Sequence, residues 1–415
     1  MQIVCFEDAR VDQLRPITLA RPAYAVTCAS FRLIDLLQQL PGSLTGSVRP
    51  HLQLLQQLDY QLEAFDETAA TSGESLLVNA RLAPTVATAE ALQALQQESR
   101  STVVLDSEDG SLLAARLVAA DAAAIQPGDG ESRLDALLRH AATLSPAERK
   151  FEVFRFPHDV VACHMQQMPP SLEWRLKHGD YKEIMDGVFA KAGVKIGEYA
   201  SIDTSEGPIV LEENVQVGPF CFLSGPVYAG AGTRVIEHAA LKDGVSLGHT
   251  VKIGGEVEAS VIEPYTNKQH HGFLGHSYLG SWINLGAGTC NSDLKNTYGK
   301  INITYGDNKV ATGMQFLGCF IGDYSKTAIN TSIFTGKVVG VCSMMYGFVT
   351  SNVPSYVNYA RLFGQTSLLP PDVMINTQKR MFDRRKVVQR ECDKQLIRDM
   401  YDLSAQERES DQDIL

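Results

Sequence analysis

The sequence predicts an α/β layer domain followed by a β-solenoid and a helical C-terminal segment. Three observations carry that prediction. Strand-like and helix-like runs alternate over residues 1–160, a six-residue period runs from residue 194, and the chain beyond 355 loses that period and ends in a charged, helix-forming stretch. We place the boundaries at 1–165 for the α/β domain, 166–192 for a linker helix, 193–355 for the solenoid and 356–415 for the C-terminal segment.

In the first part, "MQIVCF", "SLLVNARL" and "STVVLD" have the apolar, β-branched character of buried strands. Between and around them, "SFRLIDLLQQL" and "TAEALQALQQE" read as amphipathic helices, and that alternation is the mark of a layered α/β domain. The stretch "MQQMPPSLEWRLKHGDYKEIMDGVF" sets a Pro-marked boundary before a helix.

From residue 194 the repeat dictates the architecture. Every sixth position from Leu211 is apolar: Leu211, Val217, Leu223, Ala229, Val235, Leu241, Leu247 and Ile253. Four positions after each comes a small or β-branched residue, Val215, Cys221, Val227, Thr233, Ala239, Val245, Val251 and Val257. Such a register suits a coil of three short strands, with the aliphatic side chain inward and the small residue near the corner. The period resumes at Leu279, Leu285 and Ile321 through Val339, so residues 259–278 and 291–316 are expected to leave the wall as loops. In the C-terminal segment Lys379, Arg380, Arg384, Arg385, Lys386 and Arg390 form a basic stretch, either a solvated helix face or a cationic surface near a phosphate-rich cofactor.

Composition narrows the function. With 44% hydrophobic residues in 415, the chain can bury large cores, while a net charge of −11 excludes a general grip on nucleic acid or anionic membrane. The apolar run "SIFTGKVVGVCSMMYGFV" is broken by Lys337, so no membrane span is expected. "MQIVCFEDAR" has no basic n-region, and the expectation is a cytoplasmic protein. Its eight cysteines lack any C-x-x-C pair, which suits reduced thiols.

The stretch "TNKQHHGFLGHSYLG" gathers His270, His271 and His276 among glycines. The sequence offers three readings: a proton-transferring base, a metal site, or a turn. No carboxylate or cysteine nearby in sequence completes a tetrahedral set, so no metal is expected. His276, in "LGHS", is expected to make a structural hydrogen bond.

The hexads resemble those of the hexapeptide-repeat acyltransferases. More specifically, "GGEVEASVIEPYTNKQHHGFLGHSYLGSWINLGAGT" is similar to the bifunctional N-acetylglucosamine-1-phosphate uridyltransferase/glucosamine-1-phosphate acetyltransferases, in a divergent sugar nucleotidyltransferase branch. The resemblance extends to "LRPITLARP", "KTAINTSIFTGKVVGV", the "VPS" exit and the basic C-terminal helix. It implies a nucleotidyltransferase-like α/β domain, a left-handed parallel β-helix, a homotrimer, and acetyl-CoA or another acyl-CoA as cosubstrate for N-acylation of a small amino-sugar phosphate or nucleotide. His270 takes the place of the catalytic base, in a Lys-x-His core with Lys268. The coil around Gly286, Ala287 and Gly288 stands for the oxyanion and acyl-CoA site. Asn291, Asp293, Lys295 and Tyr298 in the second loop would contact substrates, and Arg384, Arg385 and Lys386 the cofactor.

The sequence also departs from that family. "FEDARVDQL" replaces the Gly-rich phosphate loop, Ala23 replaces a lysine, and "LLVNARLAP" lacks the expected metal-binding aspartate. Glu7 and Asp8 would repel a triphosphate. Uridyl transfer, with its Mg requirement, is therefore less expected than acyl transfer. Arg15, Arg21 and Arg32 are left as an anion site or as surface charges. In the solenoid, Glu237 stands for an arginine that grips phosphate and Ser260 for a lysine, with Lys242 and Lys252 in adjacent coils to compensate. The alternatives are a sugar-1-phosphate nucleotidyltransferase and a non-catalytic trimeric scaffold.

Overall fold

The computed structural model describes residues 1–67, 73–306, 308–361 and 364–409. These divide into two compact units.

The first unit comprises Met1–Leu14, Arg21–Thr27 and Phe31–Arg155. Its sheet holds β1 (Gln2–Phe6), β2 (Ser43–Ser47), β3 (Ser75–Asn79), β4 (Thr102–Leu105) and β5 (Leu112–Leu117) in the order β2-β1-β3-β5-β4. β1 runs parallel to β2 and β3, and β5 antiparallel to β3 and β4. Helix α1 (Val86–Gln96) starts at Thr85, whose hydroxyl accepts from the Thr88 N–H at 3.0 Å, an N-cap that satisfies one orphan donor. One core forms where Val4, Phe6, Leu77, Val103 and Ala115 meet Leu134 and Leu137 of α2 (Arg133–Ala141). This is the α/β domain expected from the alternating runs.

The second unit takes Arg15–Ala20, Cys28–Ser30 and Phe156–Leu415. Its helix α3 runs Pro157–His178, not 166–192. Pro157 sits at the first helical turn, where its missing N–H costs nothing. Pro169 and Pro170, which read as a boundary, lie inside the helix, which is held by burial of Met168 and Leu172 against Ala29 and Val210. After Gly179 the chain turns into antiparallel strands Lys182–Met185 and Val188–Ala190, and the second of these is already solenoid wall.

The solenoid is a left-handed parallel β-helix of about 10 turns. Its first face stacks Leu211 on Ala229, Ala229 on Leu247, Leu247 on Ile262, Ile262 on Leu279, Leu279 on Ile321 and Ile321 on Val339. The predicted inward residues form one buried column with their partners from the other two faces. The wall continues past 355 into Val357–Ala360, which pairs with Met344–Met345.

Of the two expected loops, only the second leaves the wall. Residues 259–278 stay within it as strands Glu256–Ile262, Asn267–Lys268, Phe273–Gly275 and Tyr278–Leu279. The coil from Leu247 to Ile262 is three residues shorter than those from Leu211 to Ala229 and from Ala229 to Leu247, so the hexad register slips while the stacking persists. Residues 292–306 and 308–318 do project, carrying an antiparallel hairpin of Asn302–Tyr305 and Asn308–Ala311. Tyr305 stacks on Phe156 and His158, with 5.2 Å between the Phe156 and Tyr305 ring centres.

Two faces carry helices. α3 lies over the first face, where outward residues Ser246, Val261 and Tyr278 are buried. Over the second face, Phe382 of α4 (Pro371–Arg385) packs on Trp282 at 4.4 Å between ring centres. On the third face Phe222 is 38% and Phe348 52% exposed.

Ile262→Ala should destabilise the protein by about 2–5 kcal/mol in urea or guanidinium unfolding, the cost of a cavity in a closed core. A loss below about 1 kcal/mol would mean that residues 256–262 are loop rather than wall.

Candidate functional site

The His270 turn is set by a lysine in the core. On the second face the inward row reads Val217, Val235, Ile253 and then Lys268, each paired with the next. Lys268 is 2% exposed, and its Nζ donates to the carbonyls of Gly254 at 2.7 Å and His270 at 3.1 Å. Burial draws its ammonium down to about 8, against the opposing pull of Cys290 and Glu256. Lys268 is therefore not a substrate contact as expected: it points inward and ties the backbone of the turn. His270 and His271 are exposed on that turn.

The glycine-rich coil stacks beneath it. Gly288 has φ +75°, and a side chain there would collide with Asn330 Oδ1 and come 3.4 Å from His271 Nε2. The Gly286 N–H donates to Thr327 Oγ1 at 2.9 Å and the Gly288 N–H to the His271 carbonyl at 3.1 Å. Two of the three residues expected at the oxyanion and acyl-CoA site, Gly286 and Gly288, thus have their N–H groups committed to the wall. Ala287 keeps its N–H uncommitted among the described residues.

A second cluster forms one turn further on. His276 Nδ1 lies 2.8 Å from Asp293 Oδ2, and its ring stacks on Phe316 at 5.4 Å. Glu258 lies beside them, the donor atoms of the three all within 4.8 Å of one another. The structural hydrogen bond expected of His276 is present, but its partner is a carboxylate from the next coil. Lys242 is paired with Glu256 at 2.7 Å and Glu258 at 3.2 Å, so its charge is spent within the third face. Asn291 faces its own wall, accepting from the Gly275 N–H at 2.9 Å and donating to Gly275 O at 3.0 Å. Asp293, paired and 8% exposed, is no freer to meet a substrate. Ser260 is buried, with its hydroxyl donating to Glu258 O at 2.7 Å, so it takes no place at a phosphate. Lys295 donates to Lys300 O at 2.7 Å on an exposed loop, and Tyr298 beside it is 69% exposed. Glu237 is exposed at a corner. His164 of α3 is buried, and burial pushes it down to about 4, so it is neutral at pH 7.

The basic segment meets the second face. The Arg385 guanidinium donates to Asn267 Oδ1 at 2.5 Å. Burial, together with the charges of Arg385, Arg234 and Arg384, lowers the Lys252 ammonium below its usual range. Four cations thus crowd one patch, an electrostatic cost that an anion would relieve. Arg384 and Lys252, expected at the cofactor and at the substrate respectively, are brought to one patch, and Lys386 follows as the exposed left-handed cap of α4 at φ 58°.

In the first unit the acidic residues after β1 are neutralised. Glu7 accepts from the N–H groups of Ala23 at 2.8 Å and Arg49 at 2.9 Å and from the Arg49 guanidinium. Asp8 pairs with the fully buried Arg81 at 2.7 Å. The expected repulsion of a triphosphate is therefore largely cancelled. At the end of β3, however, stand Asn79 and Arg81, and the Asn79 amide donates to Asp8 at 2.8 Å. A cation site needs free carboxylates, so these residues do not suit magnesium. Arg32 is paired with Asp35 at 2.6 Å, and Arg15, in the second unit, donates to Leu403 O at 2.8 Å.

Residues 3–177 match a family described as sugar nucleotidyl transferase. The chain is 29% identical over 143 residues to the bifunctional sugar-1-phosphate nucleotidylyltransferase/acetyltransferase of Sulfurisphaera tokodaii, covering 34% of this chain and 36% of that one. It is 31% identical over 167 residues to the bifunctional protein GlmU of Thermotoga petrophila, covering 39% and 30%. The chain spans about a third of the length of the curated relatives it matches. Among solved structures, the UDP-N-acetylglucosamine acyltransferase of Francisella novicida aligns with 52% of this chain and 77% of its own, at 17% identity and a TM-score of 0.26.

The buried ammonium makes a signed pH prediction. A lysine lowered on folding leaves the unfolded chain with more bound protons between about 8 and 10.5, so stability contributed at this site rises with pH across that window. Wild type should gain up to about 3 kcal/mol over Lys268→Met between pH 7 and 10.5 in paired denaturant titrations. A pH-independent difference would place the ammonium in solvent.

Proposed function

We propose that this chain, a divergent relative of the bifunctional GlmU proteins and hence of transferases, moves an acyl group from acyl-CoA to the amine of an amino sugar carried as its phosphate or nucleotide. The observation that carries the reading is the exposed His270, held at the backbone by Lys268 beside a coil with one spare N–H, that of Ala287. A neutral imidazole near pH 7 removes the proton that an attacking amine must lose. The amine nitrogen bonds to the thioester carbon, the oxyanion that develops takes the Ala287 N–H, the C–S bond breaks, and the proton passes from His270 to the departing thiolate. Acetyl-CoA is the natural donor, since the Sulfurisphaera relative is described as an acetyltransferase. The patch of Arg234, Lys252, Arg384 and Arg385 suits the phosphates of coenzyme A or of the acceptor.

A homotrimer with sites between neighbouring solenoids fits the third face, which exposes Phe222, Phe334 and Phe348 while the other two carry helices. Lys295 and Tyr298 on the projecting loop remain the expected contacts to an acceptor.

A second reading concerns the first unit alone. The family match over residues 3–177 and the neutralised Glu7 and Asp8 favour a site that holds a sugar nucleotide. Because the residues do not suit magnesium, we infer that this unit binds the sugar nucleotide without uridyl transfer.

His270→Ala should lower acyl transfer from acetyl-CoA by about 10²–10⁴-fold with the oligomer intact by light scattering. Retained turnover would remove the base assignment. In calorimetric titration, UDP-N-acetylglucosamine should bind with the same affinity with or without magnesium. A strict magnesium requirement would overturn the metal-free reading, and no heat at millimolar ligand the binding itself.

A further inference from the structure

We propose that Glu258, His276 and Asp293 form a binding site for a divalent transition-metal ion, zinc above others. No carboxylate stands close to the three histidines along the chain, but folding supplies two. Glu258 comes from the third-face strand of the preceding coil, His276 follows the strand Phe273–Gly275, and Asp293 begins the projection after Cys290–Asn291.

Their donor atoms lie within 4.8 Å of one another, and the closest two, His276 Nδ1 and Asp293 Oδ2, are 2.8 Å apart. An ion with bond lengths of about 2.0–2.2 Å to nitrogen and oxygen needs ligand atoms roughly 3 Å or a little more apart. Ion binding would draw the set in from its present span to that spacing. The His276–Asp293 contact then gives way to the ion. The side chains are 18% exposed for His276 and 11% for Asp293, enough shelter to weaken competition from water while leaving an entry.

Charge on the adjoining elements favours a cation. Glu256, Glu258 and Asp293 contribute three carboxylates against the ammonium groups of Lys242, which sits closer to Glu256 than to Glu258, at 2.7 against 3.2 Å, and of Lys268, which also interacts with Glu256. His164, the neighbouring imidazole on α3, is neutral at pH 7 and adds no positive charge. The acidic groups thus outnumber the ammonium groups around the cluster by one, and the two that reach His276, Glu258 and Asp293, favour a cation there. One imidazole nitrogen and two carboxylate oxygens suit zinc or cobalt better than magnesium or calcium. Three protein ligands leave a fourth position for water or for a substrate oxygen. The site differs from the one proposed for His270, and it holds whether or not acyl transfer does.

Full-length protein stripped with a chelator and titrated with Co²⁺ should develop the visible d–d absorption of a low-symmetry site, with one ion per chain by equilibrium dialysis and displacement by Zn²⁺. Glu258→Gln, a change that conserves shape at a side chain 18% exposed, should weaken binding at least tenfold, as should Asp293→Asn, in proteins whose thermal unfolding matches wild type. His270→Ala with His271→Ala should leave cobalt binding unchanged. No uptake by wild type overturns the proposal, as does uptake untouched by Glu258→Gln or lost with the exposed histidine pair. If Asp293→Asn fails to fold, the Glu258→Gln titration alone decides.

Discussion

Every feature of the second unit depends on one packing constraint: coils stacked in parallel must keep an apolar inward column and let backbones touch where they turn. Leu211, Ala229, Leu247, Ile262, Leu279, Ile321 and Val339 meet the first demand. Gly286, where any side chain would run into the Ala328 backbone, meets the second. A coil can lose residues at a corner and still satisfy both. That is how the wall absorbs the short coil ending at Ile262, whose missing residues fall between Ile253 and Ile262, while the turn bearing His270, from Lys268 to Leu274, keeps the regular spacing.

Where the inward column does turn polar, it does so beside the candidate site. Lys268 occupies a position held by Val217, Val235 and Ile253 in the coils before it. Two coils later Thr327 binds the Gly286 N–H and meets Thr289 through its hydroxyl at 2.7 Å. An ammonium in a core costs stability that an aliphatic side chain would not, so its retention points to a demand other than folding. The bonds to Gly254 and His270 identify that demand as the shape of one turn.

The fold is legible because periodicity is a property of side chains that repeat, and a period of six admits few structures. The hexads from Leu211 to Ile253 all lie where the register puts them. What the hexads cannot reveal is the fate of residues 259–278, since a three-residue deletion and a projecting loop both break a period in the same way. The length of α3 escapes the sequence for a local reason: Pro169 and Pro170 weaken a helix in isolation, and the apolar contacts of Met168 and Leu172 that hold it come from elsewhere in the chain. At the site, His270 and the basic residues 384–385 can be found from residue type and resemblance. The partners of His276 cannot, because Glu258 and Asp293 are eighteen and seventeen positions away in the chain and adjacent only once coils stack. The same stacking consumes the Gly286 and Gly288 N–H groups, the Asn291 amide and the Lys242 charge, all of which look available in a linear sequence.

Charge is sorted around the His270 turn in a way that neither composition nor net charge reveals. The chain as a whole carries −11, yet Arg234, Lys252, Arg384 and Arg385 gather on the second face, and Glu256, Glu258 and Asp293 on the third. A corner between faces of opposite sign imposes an orientation on any ligand that is itself divided, with a phosphate at one end and an amine at the other. Under the proposed function, the phosphate of an amino-sugar acceptor would be drawn toward the guanidinium groups and its amine toward the carboxylates. Repulsion among the four crowded cations would then favour the bound state of that proposed ligand, because an anion relieves it.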